Sequence, residues 1–442
     1  MTIIDLHSWK AFLAQKLHRL VEFFTSQGVT MAGNLLYGFL CVRLLPISEY
    51  AKFTVVFATL GTISVLMDIS FSSALIPLIG ERTDDRQLIA DYVASLRQLA
   101  YRLFIVLAPS TAIAYPFLVR QQHWTWPVVE VMVAILLVAS WCARVSGAYG
   151  AVLIVRRDRK SWYRAQMISS LGTLLLLGVV WAAHALNAFS AILLNVAGIV
   201  FVAISYFIRA RHLLGVSGSP SLLMRREIIH LALPSIPNTV FYALQGQISM
   251  LLITVFGHSA EVASIGALGR LAQIFALFAQ MTPLLIEPYF ASLAASRLRR
   301  SYLGLILAEG LLCILVSGLT RAFPGLFLWI LGHNYRSLGY EVFLLMTANS
   351  IAYFSGVLWV VHNARRFVYW WNGVAVIVLT LAVQIYFICM IDLSRVRPIL
   401  IMNLCTAFAG LVVTLFTGIY GFVKGPRQLA DVSAVAAEIG HA

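Results

Sequence analysis

Charged residues are scarce in this sequence. Only 11% of its 442 residues are Asp, Glu, Lys or Arg, whereas 60% are hydrophobic, and a soluble domain carries about 25% charged residues. A soluble fold has no interior large enough to bury this much apolar surface. The composition therefore excludes an ordinary soluble protein and predicts an integral membrane protein.

Acidic residues are fewer still, with 18 Asp and Glu against 32 Lys and Arg. In a soluble chain this excess of positive charge would indicate a nucleic-acid partner. In a membrane protein, however, Lys and Arg accumulate in the cytoplasmic loops. We therefore expect membrane lipids as partners and no nucleic acid.

Cysteine is rare as well, and no two cysteines have CxxC spacing. The five residues lie in or beside apolar segments: Cys41, Cys142, Cys313, Cys389 and Cys405. This pattern favours neither a disulfide framework nor a metal site. The cysteines are expected to be small buried hydrophobes, and no metal or other cofactor is predicted.

Most of the sequence consists of long apolar segments. Crossing about 30 Å of hydrocarbon takes about 20 apolar residues in a helix, and twelve such segments are found. They are residues 26–45, 52–72, 102–119, 126–150, 164–183, 188–208, 230–256, 262–292, 302–320, 340–361, 368–391 and 398–422. The prediction is an all-α polytopic membrane protein with about twelve transmembrane helices.

The loops between these segments alternate in charge. Of the 32 basic residues, 23 fall on the side that carries both termini, seven fall on the other side and two lie within spans. Because basic loops stay in the cytoplasm, both termini are predicted to be cytoplasmic.

The organisation predicted along the chain has five parts. Residues 1–25 place Trp9, Leu13 and Leu17 at helical spacing opposite basic residues, which favours an interfacial amphipathic helix over an irregular tail. A six-helix bundle follows at 26–208. Residues 209–228 mix Gly, Ser, Pro and charges and form a cytoplasmic linker, before a second bundle at 229–423 and a cytoplasmic tail at 424–442.

Polar residues recur on single faces of four spans, which occupy equivalent places in the two halves. In the first and seventh spans these are Gln27, Thr30, Asn34 and Cys41, and then Asn238, Tyr242, Gln245 and Ser249. In the second and eighth spans seven-residue rows contain Thr54, Gly61 and Asp68, and then Gly266, Gln273, Gln280 and Glu287, with Arg270 beside the last row.

Two interpretations of these faces remain open. Small and polar residues hold transmembrane helices together, so the faces can be packing surfaces. A charge at mid-membrane costs at least about 2.5–3.5 kcal/mol, and Arg270 shares one helix with Gln273 and Glu287. That combination favours a polar cavity.

Further ionisable residues interrupt the fourth, ninth and tenth spans. Glu130 and Arg144 share a helix face, but 14 residues separate them by about 21 Å, so each needs another partner. The role of Glu309 is left open. His362, beside Arg365, is predicted to be an anchor at the lipid headgroups.

Prolines cluster in the seventh and eighth spans, at Pro234, Pro237, Pro283 and Pro288. Each removes a backbone donor and favours a bend. Such bends could serve alternating access, although prolines are also tolerated in membrane helices without a functional role.

Two segments resemble a known family. The first, RLLPISEYAKF from Arg43 to Phe53, is similar to an Arg-x-Leu-x-x-x-Glu-Tyr-Gly turn, with Ala51 in place of the glycine. The second is LPSIPNTVFYALQGQISMLLITVFG, which leads to IGALGRLAQI. With twelve spans and a basic central linker, they resemble the Wzx-like flippases of the multidrug/oligosaccharidyl-lipid/polysaccharide exporter superfamily.

This resemblance implies two six-helix bundles around a cationic cavity and the flipping of an undecaprenyl-pyrophosphate-linked oligosaccharide across the bacterial inner membrane, as in O-antigen or exopolysaccharide synthesis. It implies a polysaccharide polymerase or export machinery as possible partners. The substrate-binding set would be Arg270, Arg144, Asn34, Asn238, Tyr242, Gln245, Gln273 and Gln280. The ion-coupling set, for H⁺ or Na⁺, would be Asp68, Glu287 and Glu130.

Other classes fit less well. A cation-coupled drug or metabolite antiporter of the same superfamily would share the architecture and differ in its cavity. A major-facilitator transporter is disfavoured because the loop after the second span lacks the Gly-x-x-x-Asp-Arg-x-Gly-Arg-Arg pattern. A membrane polymerase or ligase is disfavoured because the longest outer loop, 321–339, contains no carboxylate and no catalytic constellation is found. We therefore predict a protein that is not an enzyme.

Overall fold

The chain is α-helical throughout the part that the structure describes. In this computed structural model that part is residues 27–424, apart from 70, 80–81, 123, 234–235, 366 and 368. No strand occurs among those residues, and the all-α prediction is confirmed. The interfacial helix predicted at 1–25 and the tail predicted after residue 424 lie outside the described residues.

The helices of the first part of the chain are of unequal length. They are α1 (residues 27–44), α2 (Ile47–Asp68), α3 (Phe71–Ile79), α4 (Arg86–Leu118), α5 (Trp126–Val155), α6 (Arg159–Ala182), α7 (Ala188–Leu214), α8 (Leu222–Ala232), α9 (Ile236–Gln245) and α10 (Ile248–Phe256). A 3₁₀ turn, Arg120–Gln122, joins α4 to α5.

The remaining helices complete the chain. They are α11 (Ser259–Ser292), α12 (Ala295–Ala322), α13 (Pro324–Leu331), α14 (Gly339–Ala364), α15 (Trp370–Met390) and α16 (Val396–Lys424), with a 3₁₀ turn at His333–Tyr335. Each of the twelve predicted spans falls on one or two of these helices, except the seventh, which falls on three. Within the described residues nine helices are long and apolar enough to cross a membrane, and the bent pair α9 and α10 makes a tenth.

The long helices expose large apolar side chains along their outer faces. Val106, Ile113 and Phe117 are exposed on α4, as are Leu307 and Ile314 on α12. Such faces are unfavourable in water but normal in lipid, where the backbone of a helix is satisfied internally. They support a multi-pass membrane protein.

The chain divides into two compact units, Met1–Gly266 and Ala267–Ala442. In unit 1, α5 packs on α2, α4 and α7, and α6 packs on α7. A buried apolar cluster connects α3, α4, α5, α7 and α8, and its members include Leu75, Leu96, Val152, Leu214 and Ile228.

In unit 2, α14 lies between α12 and α16, and α15 packs on α16. Its apolar cluster includes Phe290, Tyr302, Leu358, Phe367 and Leu411. The helices α11, α12, α14 and α16 each contribute to it, so this cluster is the core of the second unit.

Local sequence explains several helix boundaries. Asp85 and Asp158 cap α4 and α6 by accepting hydrogen bonds from backbone N–H groups, and Asn187 and Ser190 form a capping box at the start of α7. These side chains satisfy donors that a helix start leaves unpaired. At its other end α7 stops at Gly215, whose φ of +67° is left-handed.

The connection between α7 and α8 is docked on α4. The Asp91 carboxylate accepts a hydrogen bond from Ser219 N at 2.7 Å, and Ser95 Oγ accepts one from Ser221 N at 3.0 Å. Gly218 lies so close to α4 that a Cβ would be 2.0 Å from Ala90 O. This part of the predicted linker therefore has a fixed position in unit 1. The division into two six-span halves stays a prediction.

Candidate functional site

The second predicted span ends in a cluster of charged and polar groups. After Asp68 the chain turns at Ile69, a non-glycine residue with a φ of +39°, and α3 begins at Phe71. The Asp68 carboxylate then accepts hydrogen bonds from Ser72 N at 3.2 Å and from Ser72 Oγ at 2.6 Å. Asp68 thus caps the first turn of α3.

Arg144 on α5 completes this cluster, which we call the Asp68–Arg144 site. Its Nη1 lies 3.2 Å from Asp68 Oδ1 and donates to Ser72 Oγ at 2.8 Å. One turn along α5, Gly147 leaves room for this contact, since a Cβ there would be 3.2 Å from Ser72 Oγ. Arg144 had been expected to need a partner other than Glu130, and that partner is Asp68.

The geometry leaves one side of the guanidinium unused. Arg144 is 3% exposed, and its Nε and Nη2 are buried without a hydrogen-bond partner in the described part of the chain. Buried charges are normally paired and fully hydrogen-bonded. The free pair of N–H groups is the edge with which arginine binds carboxylate or phosphate in a bidentate manner.

The polar face of α1 is largely a packing surface. Ser170 on α6 donates its hydroxyl towards Thr30 O at 2.9 Å and Asn34 Oδ1 at 3.2 Å. A Cβ on Gly33 would lie 2.3 Å from Ser170 Oγ, so the two helices approach closely. Cys41, at the end of the same face, is fully buried. Asn34 remains exposed beyond this contact.

The seven-residue rows of the second and eighth spans also contain a packing contact. A Cβ on Gly266 of α11 would lie 2.3 Å from Thr54 Cγ2 on α2. Next along the same row of α2, a Cβ on Gly61 would lie 3.4 Å from Gln247 Nε2. Thr54, Gly61 and Gly266 therefore serve helix packing within unit 1, the first of the two interpretations left open above.

Gly266→Ala is expected to lower the thermal stability of the protein, because overpacking of this kind costs about 1–3 kcal/mol. Gly269→Ala is the matched control: it lies one turn further along α11, and its Cβ would have nothing within 4 Å. That change should leave stability unchanged or raise it, since alanine favours a helix by about 1 kcal/mol over glycine. Thermal unfolding in detergent measures both.

Thr54→Ala removes the two atoms nearest to the added Cβ, Cγ2 and Oγ1. Combined with Gly266→Ala it should restore most of the lost stability. Equal melting of Gly266→Ala and Gly269→Ala would contradict a close contact between α2 and α11.

The seventh predicted span contains a sharp bend between α9 and α10. These two helices are bent by 51°, and the break lies at Gly246 and Gln247. Gly246 N still bonds to Tyr242 O at 2.9 Å, and the ladder is interrupted at the next residues. Tyr242 is exposed just before the break and Gln245 is half-buried.

The predicted site residues are divided between the two units. Unit 1 contains Asn34, Asp68, Glu130, Arg144, Asn238, Tyr242 and Gln245, whereas unit 2 contains Arg270, Gln273, Gln280 and Glu287. The structure brings Asp68 and Arg144 together. The side chains of Asn238 on α9 and Gln280 on α11 lie outside the described part of the structure.

The other predicted residues differ in burial. Arg270 is 4% exposed and has interaction partners, and Gln273, one turn along α11, is half-buried. Glu130 on α5 and Glu287 on α11 are exposed. In the described residues no group of three or more His, Cys, Asp or Glu side chains could hold a metal ion.

The His362 side chain, predicted to be an anchor at the lipid headgroups, is fully buried within unit 2, with its Nε2 2.9 Å from Tyr302 Oη. The two rings are held beside Gly418, where a Cβ would meet the Tyr302 hydroxyl at 2.2 Å. The sequence reasoning assigned His362 by its proximity to Arg365 and did not anticipate the contact with α12.

Ser72 and Ser170 were missed by sequence reasoning. Ser72 follows Asp68 at a spacing of four residues, which is a recognisable capping signal. Ser170 gave no comparable signal, because a single serine in an apolar helix is common and its partners on α1 are distant in sequence.

Only the comparison with solved structures shows a similarity, and it concerns the fold. No family model and no curated protein matches the chain. In structure it is similar to an inward-facing multidrug resistance MATE family transporter of the MOP superfamily, at 14% identity and a TM-score of 0.65, with 88% of this chain and 94% of that chain covered.

Two further solved structures are similar to this chain. The lipid II flippase MurJ in an inward closed conformation aligns at 11% identity and a TM-score of 0.57, covering 90% of this chain and 87% of that one. A MOP superfamily transporter from Pyrococcus furiosus aligns at 15% identity and a TM-score of 0.55, covering 90% and 94%. At these identities the likeness shows a shared fold. The chain therefore shares the fold of these solved transporter structures.

Proposed function

We propose that this protein translocates an undecaprenyl-pyrophosphate-linked oligosaccharide repeat unit across the bacterial inner membrane by alternating access. The observation that carries the proposal is the burial of two arginines within predicted spans, Arg144 on α5 and Arg270 on α11, which are 3% and 4% exposed. A guanidinium in a membrane span is costly and is normally retained for function. Each guanidinium can bind a phosphate group through paired, charge-assisted hydrogen bonds.

The fold supports the same class of activity. Solved structures similar to this chain include a lipid II flippase as well as multidrug transporters. A flippase must bind both the charged head and the sugars of its substrate. Near Arg270 on α11, the amide of Gln273 can donate to and accept from sugar hydroxyls without adding charge.

The Asp68–Arg144 site has a more specific role in this proposal. In the observed conformation the unused Nε and Nη2 of Arg144 are buried, so an anion reaches them only after a movement of α2, α3 or α5. A coupling cation at Asp68 would have to compete with the guanidinium for the carboxylate. The site therefore fits an arginine that is paired with Asp68 in this conformation and that binds the anionic substrate only after a helix movement. The coupling roles of Glu130 and Glu287 stay predictions.

The proposed location follows from the loop charges. With both termini in the cytoplasm, the five basic residues around the turn from α5 to α6 lie at the cytoplasmic surface. There Arg209 forms an ion pair with Asp158 at 2.5 Å. Burial raises the pKa of Asp158, but hydrogen bonds from Arg209 and Ser161 outweigh it, and the pKa lies below its usual value.

A second candidate is a cation-coupled drug or metabolite antiporter of the same superfamily. It is favoured by the TM-score of 0.65 to a multidrug resistance transporter. An exporter of organic cations needs acidic or aromatic groups in its cavity rather than buried arginines. The charge of the proposed site therefore separates the two functions.

Ligand-induced stabilisation of the purified protein tests this choice. A ligand that binds only the folded state at 100 times its Kd stabilises it by about 2.7 kcal/mol. We expect undecaprenyl-pyrophosphate-linked oligosaccharide to raise the melting temperature, and undecaprenol, which lacks the pyrophosphate, to do so far less. Stabilisation by an organic cation alone would favour the antiporter.

A further inference from the structure

Polar side chains connect α12 and α14 at several levels of unit 2. Each contact joins one residue of α12 to one of α14, and the pairs are Tyr302 with His362, Cys313 with Ser350, and Ser317 with Thr347. As residue numbers rise along α12 they fall along α14, so the helices are antiparallel. We call this row of contacts the α12–α14 seam.

Glu309 lies within the seam, between the Tyr302 and Cys313 levels. The register of the neighbouring pairs places it level with Ser355, whose hydroxyl is 2.9 Å from Thr414 Oγ1 on α16. Glu309 is near the middle of α12, which starts at Ala295 and ends at Ala322. At 1.5 Å per residue it is about 20 Å from either end of the helix, close to the middle of a bilayer.

The Glu309 carboxyl group is buried and incompletely bonded. The residue is 8% exposed, and its Oε2 has no hydrogen-bond partner in the part of the chain that the structure describes. Among those residues no Lys or Arg forms an ion pair with it. Glu341, the other buried carboxylate of unit 2, has Arg397 Nη2 3.0 Å away.

Ionisable groups near Glu309 do not supply a positive charge. Cys313 is one turn along its own helix and bonds to Ser350. On α14 the ionisable group closest in register is Tyr353, whose hydroxyl is 3.3 Å from Thr282 Oγ1 on α11. His362 lies further along the seam and bonds to Tyr302. Among the described residues, the negative charge of an ionised Glu309 is therefore not compensated by a nearby positive charge.

An uncompensated carboxylate at mid-membrane costs about 2.5–3.5 kcal/mol or more, and such a group normally takes up a proton or pairs with a cation. A sodium ion needs several oxygens around it. Oε2 of Glu309 has no polar partner within hydrogen-bonding distance among the described residues. A proton needs no further ligand, so the geometry favours H⁺.

We propose that Glu309 is the site that binds and releases the proton coupled to transport, a function that the sequence had assigned to Asp68, Glu130 and Glu287. The inference rests on the proposed transport function. In each cycle the carboxylate takes a proton from one aqueous side and becomes a neutral carboxyl group. It returns that proton on the other side, and no other bond changes.

Infrared difference spectroscopy tests the protonation without any substrate. At neutral pH the carbonyl stretch of a protonated carboxyl group should be present in the wild-type protein and absent from Glu309→Gln. Glu341→Gln is the matched control, because Glu341 is 7% exposed but paired with a cation, and the band should persist in it. Glu309→Asp, which keeps a carboxyl group, should shift the band and serves if Glu309→Gln does not fold. A band unchanged in both Glu309 variants would overturn the proposal.

Flipping in liposomes tests the coupling. Glu309→Gln should lose the acceleration that an imposed pH gradient gives to the wild type, while equilibration of lipid-linked oligosaccharide without a gradient persists. Acceleration by a sodium gradient instead, or retention of the pH response in Glu309→Gln, would overturn the proposal. If the wild type flips no lipid-linked oligosaccharide, the proposed function fails, and the infrared band still decides whether Glu309 carries a proton.

Discussion

Replacing Asp68 by asparagine should destabilise unit 1 by about 1–3 kcal/mol, because it leaves the buried charge of Arg144 uncompensated. The cost is below that of a fully buried ion pair, since the Asp68 side chain is 30% exposed. Arg144 is 3% exposed, and Asp68 is its ion-pair partner in the described structure. The amide oxygen of asparagine can still accept the hydrogen bonds from Ser72, so the change removes mainly the charge. Thermal unfolding of the purified variant measures the effect.

Asp84→Asn is the matched control for this prediction. Asp84 also forms an ion pair, with Arg156 Nη1 at 3.1 Å, but its side chain is fully exposed. Exposed ion pairs contribute about 0.2–1 kcal/mol, so this variant should melt close to the wild type.

A double-mutant cycle separates the ion pair from other effects of the substitution. Arg144→Leu removes the buried charge, and combined with Asp68→Asn it should cost less than Asp68→Asn alone. If Asp68→Asn melts like the wild type, the ion pair does not hold Arg144 in place and the description of the Asp68–Arg144 site is wrong.

Arg270→Ala should abolish surface polysaccharide in a strain that lacks its own flippase, while the protein still inserts into the membrane. Arginine at the centre of a span opposes insertion, so alanine should not impair it. What is lost is a planar group that can bind a pyrophosphate through paired, charge-assisted hydrogen bonds. Polysaccharide production and the amount of protein in the membrane are measured together.

Two substitutions calibrate that result. Arg270→Lys keeps the charge but loses the bidentate geometry, so an intermediate amount of polysaccharide is expected. Arg300→Ala removes an exposed arginine near the start of α12 and should have no effect. Normal polysaccharide in Arg270→Ala would contradict its role in binding the pyrophosphate.

The helical architecture could be predicted from the sequence because each span must be long and apolar. All twelve predicted spans fall on helices, and the segment from 188 to 208 coincides with the first part of α7. The positions of the helix ends were less predictable. Helix α12 begins at Ala295 rather than at residue 302.

Two helix breaks were not predicted from the sequence. The break between α9 and α10 lies at Gly246 and Gln247, which gave no proline signal. A second break follows Asp68, where Ile69 adopts a left-handed conformation that its branched side chain disfavours. Hydropathy does not reveal this turn, because the apolar segment predicted from residue 52 to 72 continues through it.

The polar residues of the spans were recognised correctly, but their partners were not. Thr30 and Thr54 sit in helix contacts that depend on Ser170 and Gly266, each more than 130 residues away in sequence. The ion pair of Arg144 with Asp68 likewise joins α5 to α2. A single sequence gives the periodicity of a helix face but not the neighbour that the face meets.

Flipping of a lipid-linked oligosaccharide by the purified protein in liposomes tests the central claim most directly. The account predicts that the wild type exposes labelled undecaprenyl-pyrophosphate oligosaccharide from the inner leaflet to an added glycosidase, and that Arg270→Ala does not. Export of an organic cation against a proton gradient, with no flipping of the lipid-linked oligosaccharide, would contradict it.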